Sequence, residues 1–219
     1  MRRTPEPEIM LDQKQSESYF KNDRDKPKRL FNHFHLRMMD PIGKGSIVDL
    51  GCGPGDLTLE VSQANPEATI DAIDASPAML GLVSMASQVT FKQMMITDVN
   101  DTYDRVISSM TLHHFHNPLE FWETVKRIGS KDVFVFDMIR PMNEADLFSI
   151  IDANGPFTDE VFKLDFENSL RASFTAKEIT EQLEKVGLDL QVREFNVKDF
   201  ADPKDRPHNL RVVVIHGAL

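Results

Sequence analysis

Three glycines, each one residue apart from the next, stand where a short apolar run gives way to a helical pattern. Gly51, Gly53 and Gly55 follow residues 47–50 directly. Glycines at such a turn permit positive φ and let a ligand approach the backbone closely. The dinucleotide fingerprint needs its third glycine at position 56, where this chain carries Asp56, and a carboxylate at a helix N-terminus repels a pyrophosphate. The loop therefore indicates a cofactor other than a dinucleotide.

Two carboxylates stand at the ends of the next two apolar runs. Asp74 follows Gly51 by about 20 residues, the spacing at which an acidic side chain can accept hydrogen bonds from ribose hydroxyls. Asp98 follows the third run, where it could contact an adenine amino group. Together these positions favour adenosine with a charged amino-acid tail over a ligand that carries phosphates.

Three histidines cluster behind the fourth apolar run. Of His113, His114 and His116, the first two are the preferred candidates for a general base that removes a proton from an acceptor. The alternative is a histidine that packs in the core or hydrogen-bonds the backbone. No carboxylate follows the three at a spacing that suits shared ligation, so no metal site is predicted.

Other polar residues fall near the same sheet edge or in the N-terminal segment. Asp137 and Arg140 follow the fifth apolar run and could bind a charged acceptor, with a local ion pair as an equal alternative. Tyr19 could reach the active site from the N-terminal segment or lie on the surface. Cys52, the single cysteine, is expected to be a small buried residue of the glycine loop.

The elements that must position these residues alternate between strands and helices. Such alternation predicts parallel βαβ units, a doubly wound sheet and an α/β fold. The last two strands leave no room for a crossover helix between them, so they should pair antiparallel. The predicted strands are 46–50, 68–73, 89–95, 104–109, 132–138, 188–195 and 210–216, and the predicted helices are 12–20, 27–39, 56–63, 76–85, 118–128, 145–151 and 175–186, with a short piece at 161–164.

One domain is the expected organisation for a chain of 219 residues. Residues 39–219 form the predicted domain. Residues 1–38, here called the N-terminal arm, form a helical appendage that could close over the site. Residues 141–174 make an unusually long connection, which is typical of a lid or an acceptor-binding element.

The acidic balance of the chain limits its partners. With 25 basic against 35 acidic residues, the net charge of −10 disfavours nucleic-acid binding. A single cysteine rules out an intramolecular disulfide, and no run approaches the roughly 18 apolar residues of a membrane span. The first residues also lack the apolar run of a signal peptide, so the expected location is cytoplasmic. Oligomeric state leaves no readable signal.

Four stretches of the chain resemble, in order and spacing, the class I S-adenosylmethionine-dependent methyltransferases. They are IVDLGCGPGDLT (47–58), IDAIDASPAML (70–80), TDV (97–99) and DRVISSMTLHHF (104–115). The resemblance implies a Rossmann-like, mostly parallel sheet of seven strands in the order 3-2-1-4-5-7-6 with strand 7 reversed. It also implies S-adenosylmethionine as the cofactor and S-adenosylhomocysteine as its product.

The same resemblance implies which residues bind the cofactor. The residue types and positions described above predict which residues bind the acceptor. The implied cofactor residues are Asp49 and Gly51 for the methionine moiety, Cys52 and Gly53 in the same loop, Asp74 for the ribose, Ala75 and Met79 beside the nucleoside, Asp98 and Val99 around the adenine, and Met110 beside the methyl group. The predicted acceptor contacts are Tyr19, His113, Asp137 and Arg140.

The predicted function is methyl transfer to oxygen or nitrogen of a small molecule. Catalysis would come mainly from orientation and desolvation beneath the N-terminal arm and residues 141–174. One alternative is a protein or tRNA methyltransferase. Another is a non-catalytic protein that binds S-adenosylmethionine as a partner or regulatory subunit. An enclosed acceptor cavity beside the glycine loop would favour the enzyme.

Overall fold

Seven strands form a single sheet in the computed structural model, which describes residues 1–7, 9–25, 39–83, 86–157, 159–197 and 210–219. In chain order they are β1 (Gly45–Leu50), β2 (Ala68–Asp74), β3 (Val89–Gln93), β4 (Tyr103–Ser109), β5 (Gly129–Met138), β6 (Gln191–Asn196) and β7 (Arg211–Ala218). Their order across the sheet is β3-β2-β1-β4-β5-β7-β6, and β7 alone runs antiparallel to its neighbours. The predicted α/β class and strand order are confirmed.

Seven α-helices connect or flank these strands in the described part of the chain. They are α1 (Gln13–Asp25), α2 (Asp56–Ala64), α3 (Pro77–Leu80), α4 (Pro118–Ile128), α5 (Glu144–Ala153), α6 (Glu160–Ala172) and α7 (Ala176–Val186). Two single turns of 3₁₀ helix, Ile96–Asp98 and Leu112–His114, follow β3 and β4. These two turns carry residues to the edge of the sheet where the strands end.

The bounds of α7 follow from capping residues. The Thr175 hydroxyl accepts a hydrogen bond from the Glu178 N–H, and the Glu178 carboxylate accepts one from the Thr175 N–H, which is a capping box. At the other end Gly187 adopts φ 69° and Leu188 donates to the Leu183 carbonyl. Because the helix end uses Leu188 in this way, β6 begins three residues later than the predicted strand at 188.

The sheet is buried on both faces, as the apolar runs of its central strands predict. Successive residues of β1 point to opposite faces, so Ile47 joins a core cluster with α2 and α5, whereas Val48 joins one with α4 and α7. The second cluster contains fully buried Trp122, whose indole N–H donates to Gln182 Oε1 over 2.9 Å. Helices on both faces thereby hold the strand ends, and the loops behind them, in place.

Several elements differ in extent from their predictions. Strand β3 ends at Gln93 rather than 95, and α3 ends at Leu80. The short piece expected at 161–164 is part of the thirteen-residue helix α6, whose first N–H groups are capped by the Asp159 carboxylate. The helix predicted over 27–39 lies almost wholly outside the described residues.

Candidate active site

A cavity of about 360 Å³ lies where β1, β2, β4 and β5 end. The glycine loop forms one wall, with Gly51 and Asp74 at the ends of two neighbouring strands. The N-terminal arm, including Tyr19, and helix α6, including Asp165, form the wall opposite. The cavity therefore has a side built from the sheet and a side built from the arm and α6.

The glycine loop is held by close packing at one glycine and open space at another. Gly51 has φ 76°, and a Cβ added there would lie 2.3 Å from the Thr111 hydroxyl oxygen. Gly53 has φ 53° and would meet nothing within 4 Å. Its N–H donates to Asp74 Oδ2 over 2.8 Å, and the Ser76 N–H donates to Asp74 Oδ1 over 2.8 Å. The loop is thus fixed against β2 by backbone donors, with the open side of Gly53 left for a ligand.

Two acidic residues of this wall are shielded from solvent, Asp49 fully and Asp74 partly. Asp49 accepts a hydrogen bond from the Thr58 hydroxyl over 2.6 Å, and burial raises the pKa of its carboxyl to about 7. Burial also raises the pKa of Asp74, against the opposing effect of its two backbone donors. Both carboxylates line the cavity, as do Ala75, Met79 and Met110. A cationic group in the cavity would stabilise the charged form of either carboxylate.

The predicted adenine contacts lie beside the cavity wall rather than in it. The wall contains Met95, Ile96 and Thr97. Asp98 is exposed one residue further on, and Val99 is buried in the core cluster beneath α4. The roles of Asp98 and Val99 with adenine stay predictions, and backbone groups of 95–97 are alternatives at the same place. Cys52 is buried in the loop, and burial raises the pKa of its thiol, so it is not a thiolate.

His113 lies buried between two carboxylates. Its Nδ1 is 2.6 Å from Asp137 Oδ1, and its backbone N–H donates to Asp137 Oδ2 over 2.9 Å. Its Nε2 is 3.2 Å from Glu6 Oε1, an ion-pair contact in which Oε1 accepts no well-aligned hydrogen bond from the described residues. Burial alone would lower the pKa of His113, but Asp137 and Glu6 raise it to about 10. A ring that stays protonated at neutral pH cannot accept a proton there.

His114 has the opposite character. Its ring lines the cavity, and burial together with the charge on His113 lowers its pKa, so it is neutral at pH 7. Nδ1 lies 3.2 Å from the Pro7 carbonyl oxygen, which can only accept a hydrogen bond, so Nδ1 carries the proton. That tautomer leaves Nε2 as the basic nitrogen.

Asp137 and Arg140 do not pair with each other and do not line the cavity. Asp137 stands behind His113, as described above. Arg140 is buried and donates to Glu178 Oε1 over 2.6 Å and to the Ser173 carbonyl over 3.0 Å. A role for either side chain in binding the acceptor stays a prediction, and both side chains are engaged by protein partners.

The N-terminal arm is attached beside the histidines by charged residues. The Arg3 guanidinium donates to the carbonyls of His113 and Phe115 over 2.8 and 2.9 Å and lies 4.0 Å above the Phe174 ring. Glu6 is buried among the histidines, and its carbonyl lies 2.7 Å from His116 Nε2. Sequence reasoning assigned Glu6 no role, because a single carboxylate in a polar segment carries no spacing signal.

Glu6, His113 and His114 are also the one group in the described residues whose potential ligand atoms lie within 4.8 Å of one another. Such spacing could hold a cation. In this structure the protonated His113 ring already pairs with both carboxylates that face it and offsets the charge of one of them. The prediction that the protein uses no metal stays a prediction.

The wall formed by the arm and α6 combines aromatic rings with one carboxylate. We call this group the acceptor chamber; it consists of Tyr19, Phe157, Phe162, Asp165 and Phe166. The ring centroid of Phe157 lies 6.1 Å from that of Phe162 and 5.9 Å from that of Phe166. The ring centroids of Tyr19 and Phe162 are 6.4 Å apart. Gln15 of α1 donates to the Asp165 carboxylate and joins the arm to α6.

A comparison with protein-family models matches residues 19–191 to a methyltransferase domain. The chain belongs to this methyltransferase family. Together with the sheet order, the match assigns it to the class I S-adenosylmethionine-dependent methyltransferases. This confirms the resemblance drawn from the four sequence stretches, and S-adenosylmethionine is the cofactor that the family uses.

Curated relatives match this methyltransferase over part of their length. A trans-aconitate 2-methyltransferase of Mycobacterium ulcerans is 38% identical over 94 residues, which are 38% of this chain and 34% of that protein. An (S)-coclaurine N-methyltransferase of Thalictrum flavum is 27% identical over 156 residues, 66% of this chain and 43% of that protein. The chain therefore covers well under two thirds of the relatives that it matches.

Solved structures match over nearly the whole chain. The plantazolicin methyltransferase BpumL, in complex with a triazolic desmethylPZN analog and S-adenosylhomocysteine, superposes with a TM-score of 0.67 at 16% identity. The match covers 93% of this chain and 89% of that one. At this identity the likeness establishes the fold. In the described residues no helix has the length and apolar character needed to cross a membrane.

Proposed function

We propose that this methyltransferase transfers a methyl group from S-adenosylmethionine to a small organic molecule, at nitrogen or oxygen. The observation that carries the proposal is a single cavity that runs from the glycine loop to the acceptor chamber. A cavity walled on the side opposite the sheet by residues of the N-terminal arm and α6 suits a small acceptor better than a protein side chain or a tRNA base.

In the proposed pose, the adenosine lies along the wall formed by β1 and β2. Asp74 accepts hydrogen bonds from the ribose, with lone pairs left over from its two backbone donors. Asp49 stands beside the loop that would receive the methionine moiety, whose ammonium would favour the charged carboxylate. Met110, which has φ 56°, lies on the same wall and would border the methyl group.

The proposed chemistry is an in-line displacement in which the acceptor's lone pair forms a bond to the methyl carbon while the carbon–sulfur bond breaks. Holding the two reactants in line within one cavity would supply most of the rate. His114 is the proposed base, because it is neutral, lines the cavity and keeps Nε2 unprotonated. His113 is a positioning residue that attaches Glu6, and hence the arm, to β5.

The charge of the wall narrows the acceptor. Among the described residues that line the cavity there are five carboxylates and neither a lysine nor an arginine. His113 is cationic, but Asp137 and Glu6 neutralise it. The mycobacterial relative is named for trans-aconitate, an anion, whereas the plant relative is named for N-methylation. The acidic wall of this cavity suits an acceptor that is methylated at nitrogen better than an anionic acceptor.

Calorimetric titration of the purified protein tests the proposal. S-adenosylmethionine and S-adenosylhomocysteine should bind at micromolar concentrations, and NAD should not bind. Labelled methyl donor should then transfer to members of a small-molecule mixture. Binding of both adenosyl ligands without methyl transfer to any acceptor would favour the non-catalytic alternative. If neither ligand bound, the glycine loop would not be a working cofactor site and the proposal would fail.

A variant tests the role of His114. His114→Ala should lower turnover by about a hundredfold or more, as loss of a general base does, and leave the affinity for S-adenosylhomocysteine within twofold. His216→Ala, at the far end of β7, is the matched control and should change neither quantity. Activity of His114→Ala within a few-fold of wild type would leave orientation as the whole mechanism.

A further inference from the structure

We infer that the acceptor is an organic amine, bound through its positive charge by Asp165 and the aromatic rings of the acceptor chamber. This inference rests on the proposed function and names the substrate class of the same cavity. It follows from the partners of Asp165, from the rings around it and from the charge of the remaining wall.

Among the described residues, Asp165 has no charged partner of the kind that a buried carboxylate needs. It is 9% exposed and lines the cavity from α6. In the part of the chain that the structure describes, it accepts one side-chain hydrogen bond, from the neutral amide of Gln15, and no basic side chain lies within ion-pair distance. A buried charge without a counter-charge is costly, so such groups are usually paired. A cation in the cavity would be that counter-charge.

The ionisation state of the Asp165 carboxyl is consistent with a cationic ligand. Burial raises its pKa to about 6, with a further contribution from the charge on Glu6 and an opposing one from Gln15. The other charged group facing it is His113, which is paired with Glu6 and Asp137. At pH 7.5 the carboxyl is mostly ionised, and an ammonium beside it would lower its pKa further.

The rings of the acceptor chamber are of the kind that bind organic cations. Phe162 and Phe166 come from the same helix as Asp165, one turn before it and directly after it, and Phe157 and Tyr19 complete the group. The face of an aromatic ring attracts an ammonium through its quadrupole, most strongly where water is excluded. A carboxylate among four such rings therefore favours an amine over an alcohol of the same shape.

The methyl-transfer step balances for an amine. The bound ammonium first gives one proton to the neutral His114 ring. The free lone pair then forms the carbon–nitrogen bond as the carbon–sulfur bond breaks, and S-adenosylhomocysteine leaves with the electron pair of that bond. The methylated nitrogen carries the positive charge that was on the sulfonium, so Asp165 faces a cation before and after the transfer.

A matched set of three probes tests the inference on the full chain saturated with S-adenosylhomocysteine. The probes are phenethylamine, 2-phenylethanol and 3-phenylpropionate, which share a ring and differ in charge. Titration at pH 7.5 should show the amine binding at least tenfold more tightly than the alcohol, with the acid weakest. Asp165→Asn should bring the amine to the affinity of the alcohol.

Controls separate this inference from the proposed function. Asp152→Asn, which changes an exposed carboxylate of α5, should bind the amine as wild type does. Phe166→Leu should weaken amine binding a few-fold and leave the alcohol nearly unchanged. Retained affinity of each variant for S-adenosylhomocysteine shows that it is folded. If the three probes bind equally or not at all while S-adenosylhomocysteine binds, the amine inference is wrong and the proposed function stands; if S-adenosylhomocysteine does not bind, both fail.

Discussion

The two walls of the cavity are built in different ways. The cofactor wall consists of residues that follow consecutive strands, and its contacts run between backbone groups, such as the Gly51 N–H and the Ile73 carbonyl at 2.8 Å. The opposite wall brings the arm against a helix more than 100 residues away in the chain. Behind this wall, the side chains of Glu6, His113 and Asp137 attach the arm to the sheet. Short-range geometry specifies the first wall, and buried charge holds the second.

This difference predicts how each wall fails. Strain or a clash at one glycine should block cofactor binding while the arm stays in place. Loss of one charge from the cluster that holds the second wall should destabilise the fold, because a buried partner then loses part of its compensating charge. The following variants test that contrast, beginning with the largest expected effect.

Asp137→Asn should lower the free energy of unfolding by about 3 kcal/mol, the low end for breaking a buried ion pair, because His113 loses its nearer carboxylate at 2.6 Å and keeps Glu6 at 3.2 Å. Urea unfolding at pH 7 measures the change. Asp101→Asn, at an exposed carboxylate, is the matched control and should stay within about 0.5 kcal/mol of wild type. If the two variants were equally stable, buried charge would not hold this wall.

Gly51→Ala should reduce the affinity for S-adenosylhomocysteine by about a hundredfold, or 2.7 kcal/mol, because the new Cβ overlaps the Thr111 side chain at positive φ. Gly43→Ala is the matched control, with φ 64° and open space around its Cβ. It should lose about 1–2 kcal/mol of stability through backbone strain and bind normally. Normal binding by Gly51→Ala would remove the loop from the cofactor site.

The same contrast explains what could be predicted from the sequence. The strand runs, the glycine loop and the capping residues of α7 are local signals, and each led to the element found. Ser46–Leu50 was predicted to within one residue of β1 because a buried parallel strand is a short, mostly apolar run, here Ile47, Val48 and Leu50. The order of the strands was predicted from the resemblance, whose four stretches include β1, β2 and β4, and the structure confirms it.

Helix α6 shows why the second wall could not be predicted. Its inner face lines a cavity instead of packing into the core, so Asp165 and Ser169 interrupt the apolar repeat. The pattern then reads as a short piece at 161–164. The prediction for the adenine contacts also differs from the structure. Because β3 ends early and the turn Ile96–Asp98 follows it, residues 95–97 line the cavity where 98–99 were predicted, and strand propensity alone does not specify this difference.

Asp74→Ala should weaken binding of S-adenosylhomocysteine about tenfold, within a range of about 1–3 kcal/mol, because a partly buried acceptor of hydrogen bonds is lost. It should leave the affinity for phenethylamine almost unchanged when the cofactor is saturating. Asp165→Asn is the reciprocal control and should weaken only the amine. Calorimetry on both variants therefore separates the two walls, and an equal loss of both ligands in either variant would contradict their independence.

Counted per pH unit, the smallest expected effect is a pH dependence of the free energy of unfolding that arises from the charges beside the second wall. His113 has a pKa raised to about 10 by Asp137 and Glu6, against about 6.5 in an unfolded chain. Between these values the folded protein holds a proton that the unfolded chain has lost. The stability that the ion pairs contribute is therefore complete below pH 6.5 and is lost as the pH rises towards 10, by about 1 kcal/mol per pH unit.

Urea unfolding between pH 7.5 and 9 measures this loss of stability. Asp49 and Asp165, whose pKa values are raised to about 7 and about 6, are already mostly ionised at pH 7.5, so they contribute little to the slope in this range. Their contribution has the same sign but falls at lower pH, because a carboxyl with a raised pKa loses stability as the pH rises through 4 to 7. His113→Gln removes the titrating ring and should flatten the slope. An unchanged slope in that variant would mean that His113 is neutral in the folded protein. His113 and His114 would then have the same protonation state, and either could act as the general base.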